Sequence, residues 1–157
     1  MVPLAVAEAT ASSHYASPSY GPNGLHPGRL IDGDKADGGW VTAIRQTEGA
    51  WLEFRLKAPA YIHEVEIVNG FMEGGGGYYR HLRPRDVRIS FPGTDVAPVP
   101  LSLADEGNPQ VFQFDSGVAV DCVRIDIASV WREGPDPSVN PFEVIGLRHV
   151  EWRGDPA

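Results

Sequence analysis

Cysteine is almost absent from this sequence, since Cys122 is the only one among its 157 residues. A single cysteine excludes an internal disulfide and a cysteine-rich zinc site. Cys122 lies in the alternating apolar run VDCVRIDIASV, which favours a small packed thiol over a nucleophile. The sequence therefore predicts neither a disulfide framework nor cysteine chemistry.

The sequence also lacks a basic stripe and a long hydrophobic run. Acidic residues outnumber Lys and Arg by 21 to 13, and the formal net charge is −8. Phosphate binding needs clustered positive charge, so we expect no nucleic-acid partner and no membrane insertion. The N-terminal stretch MVPLAVAEATASS is too short to cross a bilayer and follows no basic residue, so it predicts no signal peptide. Export stays open if the chain is a module cut from a larger protein.

Turn-forming residues are abundant, with 18 glycines and 14 prolines, and the length suits a single domain over residues 1–157. Apolar and polar residues alternate in six runs, at residues 51–56, 60–70, 86–91, 110–115, 122–129 and 148–154. Such alternation is typical of strands with one packed and one solvated face. The pattern predicts an all-β antiparallel sandwich, with Glu53, Glu64 and Glu66 on solvated faces.

Three connections between these runs are too long for simple hairpins: residues 13–40, 70–85 and 131–142. Long loops in compact domains usually carry function. Aromatic rings stack on the C–H faces of sugars, and arginine and histidine donate hydrogen bonds to hydroxyls. The candidate ligand-binding residues on these loops are His26, Tyr79, Arg80, His81, Trp131 and Arg132. The other tryptophans, Trp40, Trp51 and Trp152, are expected in the core.

The stretch GRLIDGDKADGGW crowds Asp32, Asp34 and Asp37 into six positions. Calcium binds six to eight oxygens, which an aspartate–glycine loop supplies. The alternative is a pair of Asx-turns, in which each aspartate side chain accepts a nearby backbone N–H. The residues by themselves leave both interpretations open.

Four segments in order resemble discoidin-like domains, also called coagulation-factor C-type domains. ATASSHY with GRLIDGDKADGGWVT is similar to the family's opening, and GAWLEFRLKAPAYIHEVEIVNGF to its next two strands. YYRHLRPRDVRISF is similar to a bacterial glycan-binding branch, and FEVIGLRHVEWRG to the closing strand. The resemblance covers about residues 9–154. It implies an eight-stranded jelly-roll sandwich of the galactose-binding-like fold and a module that binds sugars, or in some relatives lipid headgroups or proteins.

The resemblance also implies a structural calcium ion, whose expected ligands here are Asp32, Asp34, Asp37 and Glu151. Two features depart from the family pattern. Relatives carry a threonine just before the tryptophan, whereas this chain has Asp37-Gly38-Gly39 and one extra residue. Where the closing strand of relatives supplies a glutamate, this chain has His149, and imidazole is a poor ligand for a hard cation.

The expected function is a non-catalytic, lectin-like carbohydrate-binding module whose partner is a glycan or polysaccharide. The sequence contains no Gly-x-Ser-x-Gly and no His-Glu-x-x-His motif, and its five histidines show no metal spacing, so each is expected at a turn or on the surface. An alternative is a structural or protein-interaction domain that binds other domains or forms a homo-oligomer. A glycoside hydrolase using Glu53, Glu64 and Glu66 is a further alternative. The family resemblance implies a secreted or cell-surface location.

Overall fold

The computed structural model describes residues 1–36, 38–72 and 77–157. Within them the chain forms eleven strands: β1 (Val2–Pro3), β2 (Val6–Ala11), β3 (Trp40–Val41), β4 (Trp51–Asn69), β5 (His81–Pro84), β6 (Asp86–Ser90), β7 (Val99–Ser102), β8 (Gln110–Gln113), β9 (Val120–Ile127), β10 (Val130–Trp131) and β11 (Phe142–Pro156). The helical segments of these residues are short 3-10 turns: Pro18–Tyr20, Pro27–Leu30 and Tyr78–Arg80. No helix in the described residues has the length and apolar character that crossing a membrane requires.

Strand β4 belongs to both layers of the fold. Its first half pairs with β2 and β9, and its second half pairs with β8 and β11. Its pairing with β9 shifts register between Arg55 and Ala60, next to Pro59, which has no N–H to donate. The sequence predicts two strands here, whereas the structure has one long strand with an irregularity at that point.

The two layers face each other across an aromatic core. The first contains β2, β4, β9, β6 and β7, and the second is built on the second half of β4 and on β11. Trp152 of β11 packs edge-to-face on Phe54 of the opposite layer, with ring centroids 5.5 Å apart, and on Phe114 at 6.5 Å. The predicted all-β jelly-roll sandwich is therefore confirmed.

Eight of the eleven strands in the described residues have four residues or more, which matches the eight strands implied by the family resemblance. The pairing of β5 with β11 is parallel, so the sheet is not antiparallel throughout. The six predicted runs overlap β4, β6, β8, β9 and β11, whereas β2, β5 and β7 were not predicted. All four residues of β5 are buried, so this strand shows no alternation that sequence could reveal.

Three expectations about exposure are wrong. Trp51, which was expected in the core, is only half-buried, with the guanidinium of Arg124 over its ring. Glu64 and Glu66 are each only 7% exposed, because Arg153 from the neighbouring strand bonds both carboxylates, at 2.7 and 3.1 Å. His81 and His149, which were expected at turns or on the surface, are 6% and 3% exposed. Strand alternation predicts which side of the sheet a residue faces, but it does not show that a loop covers that side.

Candidate functional site

The three long segments meet at one rim of the sandwich. Tyr20 of the first packs edge-to-face on Phe71 of the second, with ring centroids 6.4 Å apart. The ring of Tyr79 in the second lies so close to Gly134 of the third that a Cβ there would be 2.9 Å from it. These contacts join parts of all three segments at one rim.

A cleft of about 400 Å³ opens at this rim; we call it the rim cleft. A chain of edge-to-face rings lines it: Tyr15 to Tyr20 at 6.3 Å, Tyr20 to Phe71 at 6.4 Å, Phe71 to His81 at 4.9 Å and His81 to Phe142 at 5.7 Å. Ser17, Ser19 and Glu143 add polar groups. The cleft thus combines ring faces and edges with a few hydrogen-bonding groups, the usual composition of a small-ligand site.

Glycine at two positions allows the rim to close this tightly. Gly24 has φ +61°, and a Cβ there would lie 2.5 Å from the carbonyl oxygen of Tyr15. Gly70 has φ +80°, and a Cβ there would lie 2.3 Å from the ring of Tyr78. Both positive φ angles suit glycine, and a side chain at either position would push the rim segments apart.

Arg80 lies beside the rim cleft, over the ring of one of its lining residues. Its guanidinium carbon lies 4.9 Å from the ring centroid of Phe142, whose side chain is 46% exposed. The Nε of Arg80 is buried and has no hydrogen-bond partner. A second groove, of about 310 Å³, is lined by Tyr79, Arg80 and Asp136 on the other side of this arginine. Arg80 therefore lines the second groove and lies over Phe142, whose ring lines the rim cleft.

Arg132 reaches the same region but is already engaged. It donates two hydrogen bonds to Glu143, at 2.8 and 3.1 Å, and a third to Glu48 at 3.3 Å. The hydrogen bond with Glu143 is the main cause that raises the pKa of Arg132 above its ordinary value. This pairing also orients Glu143, which lines the rim cleft.

Arg83 joins the loops behind the rim, and no sequence signal distinguished it from the other arginines. Its side chain is fully buried. It forms a bidentate pair with Asp105, at 3.0 and 2.9 Å, and donates to the carbonyls of His81, Arg132 and Glu133. All of its N–H groups point at acceptors. Arg83 therefore connects Asp105 to β5 and to the residues that follow β10, beside the point where Arg83 pairs with Trp131.

Tyr78 extends the network around Arg83. Its hydroxyl donates to Asp105 at 2.9 Å, and its ring centroid lies 5.4 Å from the guanidinium of Arg83. Burial, followed by the bond to Asp105, raises the pKa of Tyr78 well above its ordinary value. The neutral hydroxyl of Tyr78 therefore donates a hydrogen bond to Asp105 in addition to those from Arg83.

The two remaining predicted ligand residues lie apart from this group. The indole of Trp131 donates to the carbonyl of Leu103 at 3.0 Å, and Arg85 covers its ring at 4.3 Å. The imidazole of His26 folds over Gly28, and a Cβ on that glycine would lie 2.8 Å from the ring. The structure therefore brings together Tyr79, Arg80, His81 and Arg132, and it places Trp131 and His26 among other neighbours.

The acidic loop contains the hydrogen bonds of the Asx-turn interpretation. Asp32 accepts the backbone N–H of Asp34 at 2.9 Å, and Asp34 accepts that of Ala36 at 3.0 Å. Asp37 lies outside the described residues, and Glu151 is bound by Arg153 at 2.6 Å. In the ranges that the structure describes, no group of three or more His, Cys, Asp or Glu side chains is arranged to hold a metal ion. The calcium site therefore stays a prediction.

His81 makes the stability of the rim depend on pH. Burial, with a smaller effect of Arg80, lowers the pKa of His81, although its ring N–H donates to the carbonyl of Gly77 at 3.0 Å. The unfolded chain, with a histidine pKa of about 6.5, therefore binds the proton more readily than the folded protein. The contribution of neutral His81 to the free energy of unfolding is fully present above about pH 6.5. It is lost as the pH falls from there towards the lowered pKa of the folded protein.

We therefore expect the free energy of unfolding to decrease between pH 7.5 and 5.5 in urea titrations. The decrease should be smaller in His81→Gln, because that side chain does not titrate. The variant retains the other histidines, which serve as an internal control. Identical pH profiles of the two proteins would contradict this assignment.

The fold and rim define a β-sandwich of the galactose-binding-like class. A family model described as the NAD glycohydrolase translocation F5/8 type C domain matches residues 4–136. The chain belongs to this discoidin-like F5/8 type C family, as the resemblance in its sequence predicted. Comparison with curated proteins gave no match.

Solved structures with the same fold include several sugar-binding modules. The CBM32 of AlyQ, in complex with 4,5-unsaturated mannuronic acid, aligns with a TM-score of 0.63 at 15% identity and covers 98% of each chain. A Streptococcus pneumoniae fucose binding module aligns at 0.62 and 16%, covering 98% of this chain and 96% of its own. A fucolectin from striped bass serum aligns at 0.64 and 19%, covering 96% of this chain and 47% of its own. At these identities the likeness establishes the fold.

Proposed function

We propose that this protein is a non-catalytic carbohydrate-binding module that binds glycans at the rim cleft. The observation that carries the proposal is the pair formed by Arg80 and the exposed ring of Phe142, 4.9 Å apart at the mouth of an aromatic cleft. The ring offers a stacking surface, while Arg80 offers donors and the second ring nitrogen of His81 offers an acceptor beside it. Proteins of the same fold whose names state that they bind fucose or pectin support the assignment.

The carboxylates support a binding function over hydrolysis. Glu53 pairs with Arg124 at 3.8 Å, and Glu64 and Glu66 pair with Arg153. Burial by itself would raise the pKa of Glu66, but hydrogen bonds from Lys35 and Arg153 outweigh it and lower the pKa. A glycosidase acid needs a raised pKa, so a paired and ionised carboxylate is unsuited to that role.

The location of the protein is inferred from the proposed ligand. Glycans and polysaccharides are displayed on cell surfaces and in extracellular matrices, so we propose a secreted or surface location for the module. Contacts to one or two sugar rings in an open cleft give weak affinity, and linkage to a partner domain or self-association would raise it.

The test is titration of the protein with oligosaccharides from alginate, pectin and fucosylated glycans, followed by two substitutions. We expect Arg80→Ala and Phe142→Ala each to weaken binding about tenfold, which corresponds to about 1.4 kcal/mol, because each removes one side of the stacked pair. Arg88→Ala, an exposed arginine on β6, is the matched control and should bind as the wild type does. Binding that is unchanged in both rim variants would refute the proposed site.

A second function, a protein-interaction surface, is favoured by the exposed apolar side chains near the rim: Ile44, Met72, Tyr79 and Phe142. Apolar clusters on a surface often mark partner sites. Absence of any response across the glycan panel, together with a stable oligomer in light scattering that Phe142→Asp dissociates, would select this function instead.

A further inference from the structure

The acidic loop, residues 31–36, is held to the outer face of the second layer by its one basic residue. The ammonium nitrogen of Lys35 lies 2.5 Å from Oε2 of Glu66 on β4. Arg148 of β11 donates to the carbonyl of Ala36 at 3.5 Å. Gly33 lines a small cavity together with His149. The loop therefore rests on the strands at the place where sequence predicted a calcium ion.

Beneath the loop, acidic groups exceed basic ones. Arg153 binds Glu64 at 2.7 Å, Glu66 at 3.1 Å and Glu151 at 2.6 Å, so a single guanidinium serves three carboxylates. Glu66 is almost fully buried. A buried carboxylate without sufficient positive charge is costly, so this cluster requires a second cation.

The two oxygens of Glu66 show where that second cation is. Oε1 accepts the hydrogen bond from Arg153, and Oε2 faces Lys35. A divalent ion at Oε2 would have to displace the ammonium group. Asp32 and Asp34 each already use Oδ1 to accept a backbone N–H of their own loop. His149, whose ring lies 3.7 Å from Oε2, offers nitrogen to an ion that prefers oxygen.

We propose that the ammonium group of Lys35, and not a divalent ion, supplies the positive charge that holds the acidic loop against β4 and β11. Lys35 is part of the chain, so the loop is positioned at any calcium concentration. The family resemblance implies a calcium ion at this loop. In the described residues, the ammonium group of Lys35 takes the place of that ion.

The first test compares melting temperatures of the whole chain in EDTA and in 5 mM calcium chloride. We expect the Tm of the wild type to be the same in both. Lys35→Met should lower the Tm by about 2–4 °C, since it leaves Glu66 with Arg153 alone. Lys57→Met removes the only other lysine, which is exposed on β4, and should leave the Tm close to that of the wild type. Lys35→Arg retains the charge and should restore most of the loss.

The second test is a double-mutant cycle with Glu66→Gln. The effect of Lys35→Met on the Tm should be much smaller in the Glu66→Gln background, because the carboxylate that needs the ammonium is gone. A rise of the wild-type Tm in calcium chloride, or equal effects of Lys35→Met in both backgrounds, would overturn the proposal. Stabilisation of Lys35→Met alone by calcium would support it, since the ion would then fill the position of the ammonium group.

Discussion

Arg83→Met should lower the free energy of unfolding by about 3 kcal/mol, the largest effect that we expect from a polar residue here. Arg83 is fully buried, and Asp105, its bidentate partner, is 23% exposed on its side chain. Breaking a buried pair costs about 3–5 kcal/mol. The partial exposure of Asp105 places the cost at the lower end of that range. Methionine has similar length, so the loss reports the guanidinium and not a cavity. Urea-induced unfolding measures it.

Two variants separate the geometry of Arg83 from its charge. Arg83→Lys keeps the charge but cannot reach Asp105 and the three backbone carbonyls together, so it should recover only part of the stability. Arg88→Met replaces an exposed arginine of the adjacent strand β6 and should change stability by less than about 0.5 kcal/mol. If Arg83→Met were as stable as Arg88→Met, the network around Arg83 would not stabilise the fold.

Arg83 is also expected to influence ligand binding without contact with the ligand. Its bonds to the carbonyls of Arg132 and Glu133 hold the third long loop against the second. Tyr79 and Arg80 sit at that junction. Arg83→Lys should therefore weaken glycan binding under conditions in which the protein remains folded.

Trp152→Ala should destabilise the protein by about 3–5 kcal/mol, because truncation of a large core aromatic leaves a cavity that the sheets cannot fill. The indole is fully buried between the two layers and packs on Phe54 and Phe114. The unfolding transition should shift to lower urea concentration with little change in its slope.

Trp51→Ala is the matched control for Trp152→Ala. Trp51 is half-buried, and its ring carries the guanidinium of Arg124 at 4.7 Å on an outer face. Its truncation should cost about 1–2 kcal/mol, mainly from the cation–π contact and part of the burial. If Trp152→Ala and Trp51→Ala lowered the free energy of unfolding equally, Trp152 would not lie at the centre of the core.

The strands were predictable wherever one face is packed and the other is polar. The runs around Phe54, Ile67, Ile125 and Val150 alternate apolar with polar residues over most of their length, and each of these four residues lies in an observed strand. β5 was not predictable, because HLRP is buried on both sides and so has no polar face. The short β2, VAEATA, is rich in small residues with weak strand preference and is defined by its pairing with β4.

The candidate site was only partly predictable, for a related reason. Aromatic and basic residues on long loops indicated the right segments, and Tyr79, Arg80, His81 and Arg132 do come together. Nothing in the sequence shows that Arg85 covers one face of Trp131. Equally, no local pattern reveals that Arg83, one of several arginines in HLRPRDVR, is the buried one.

The sequence by itself determined the class of fold, since strand periodicity and turn chemistry are local properties that neighbouring residues encode together. It also determined the family and the three segments that form the rim. The tertiary structure decided which charges are buried and which partners they have. Lys35 on Glu66, Arg153 on Glu64 and Glu66, and Arg83 on Asp105 join residues distant in the chain. These ion pairs form where loops pack against the sheets. The packing of the whole domain sets those positions.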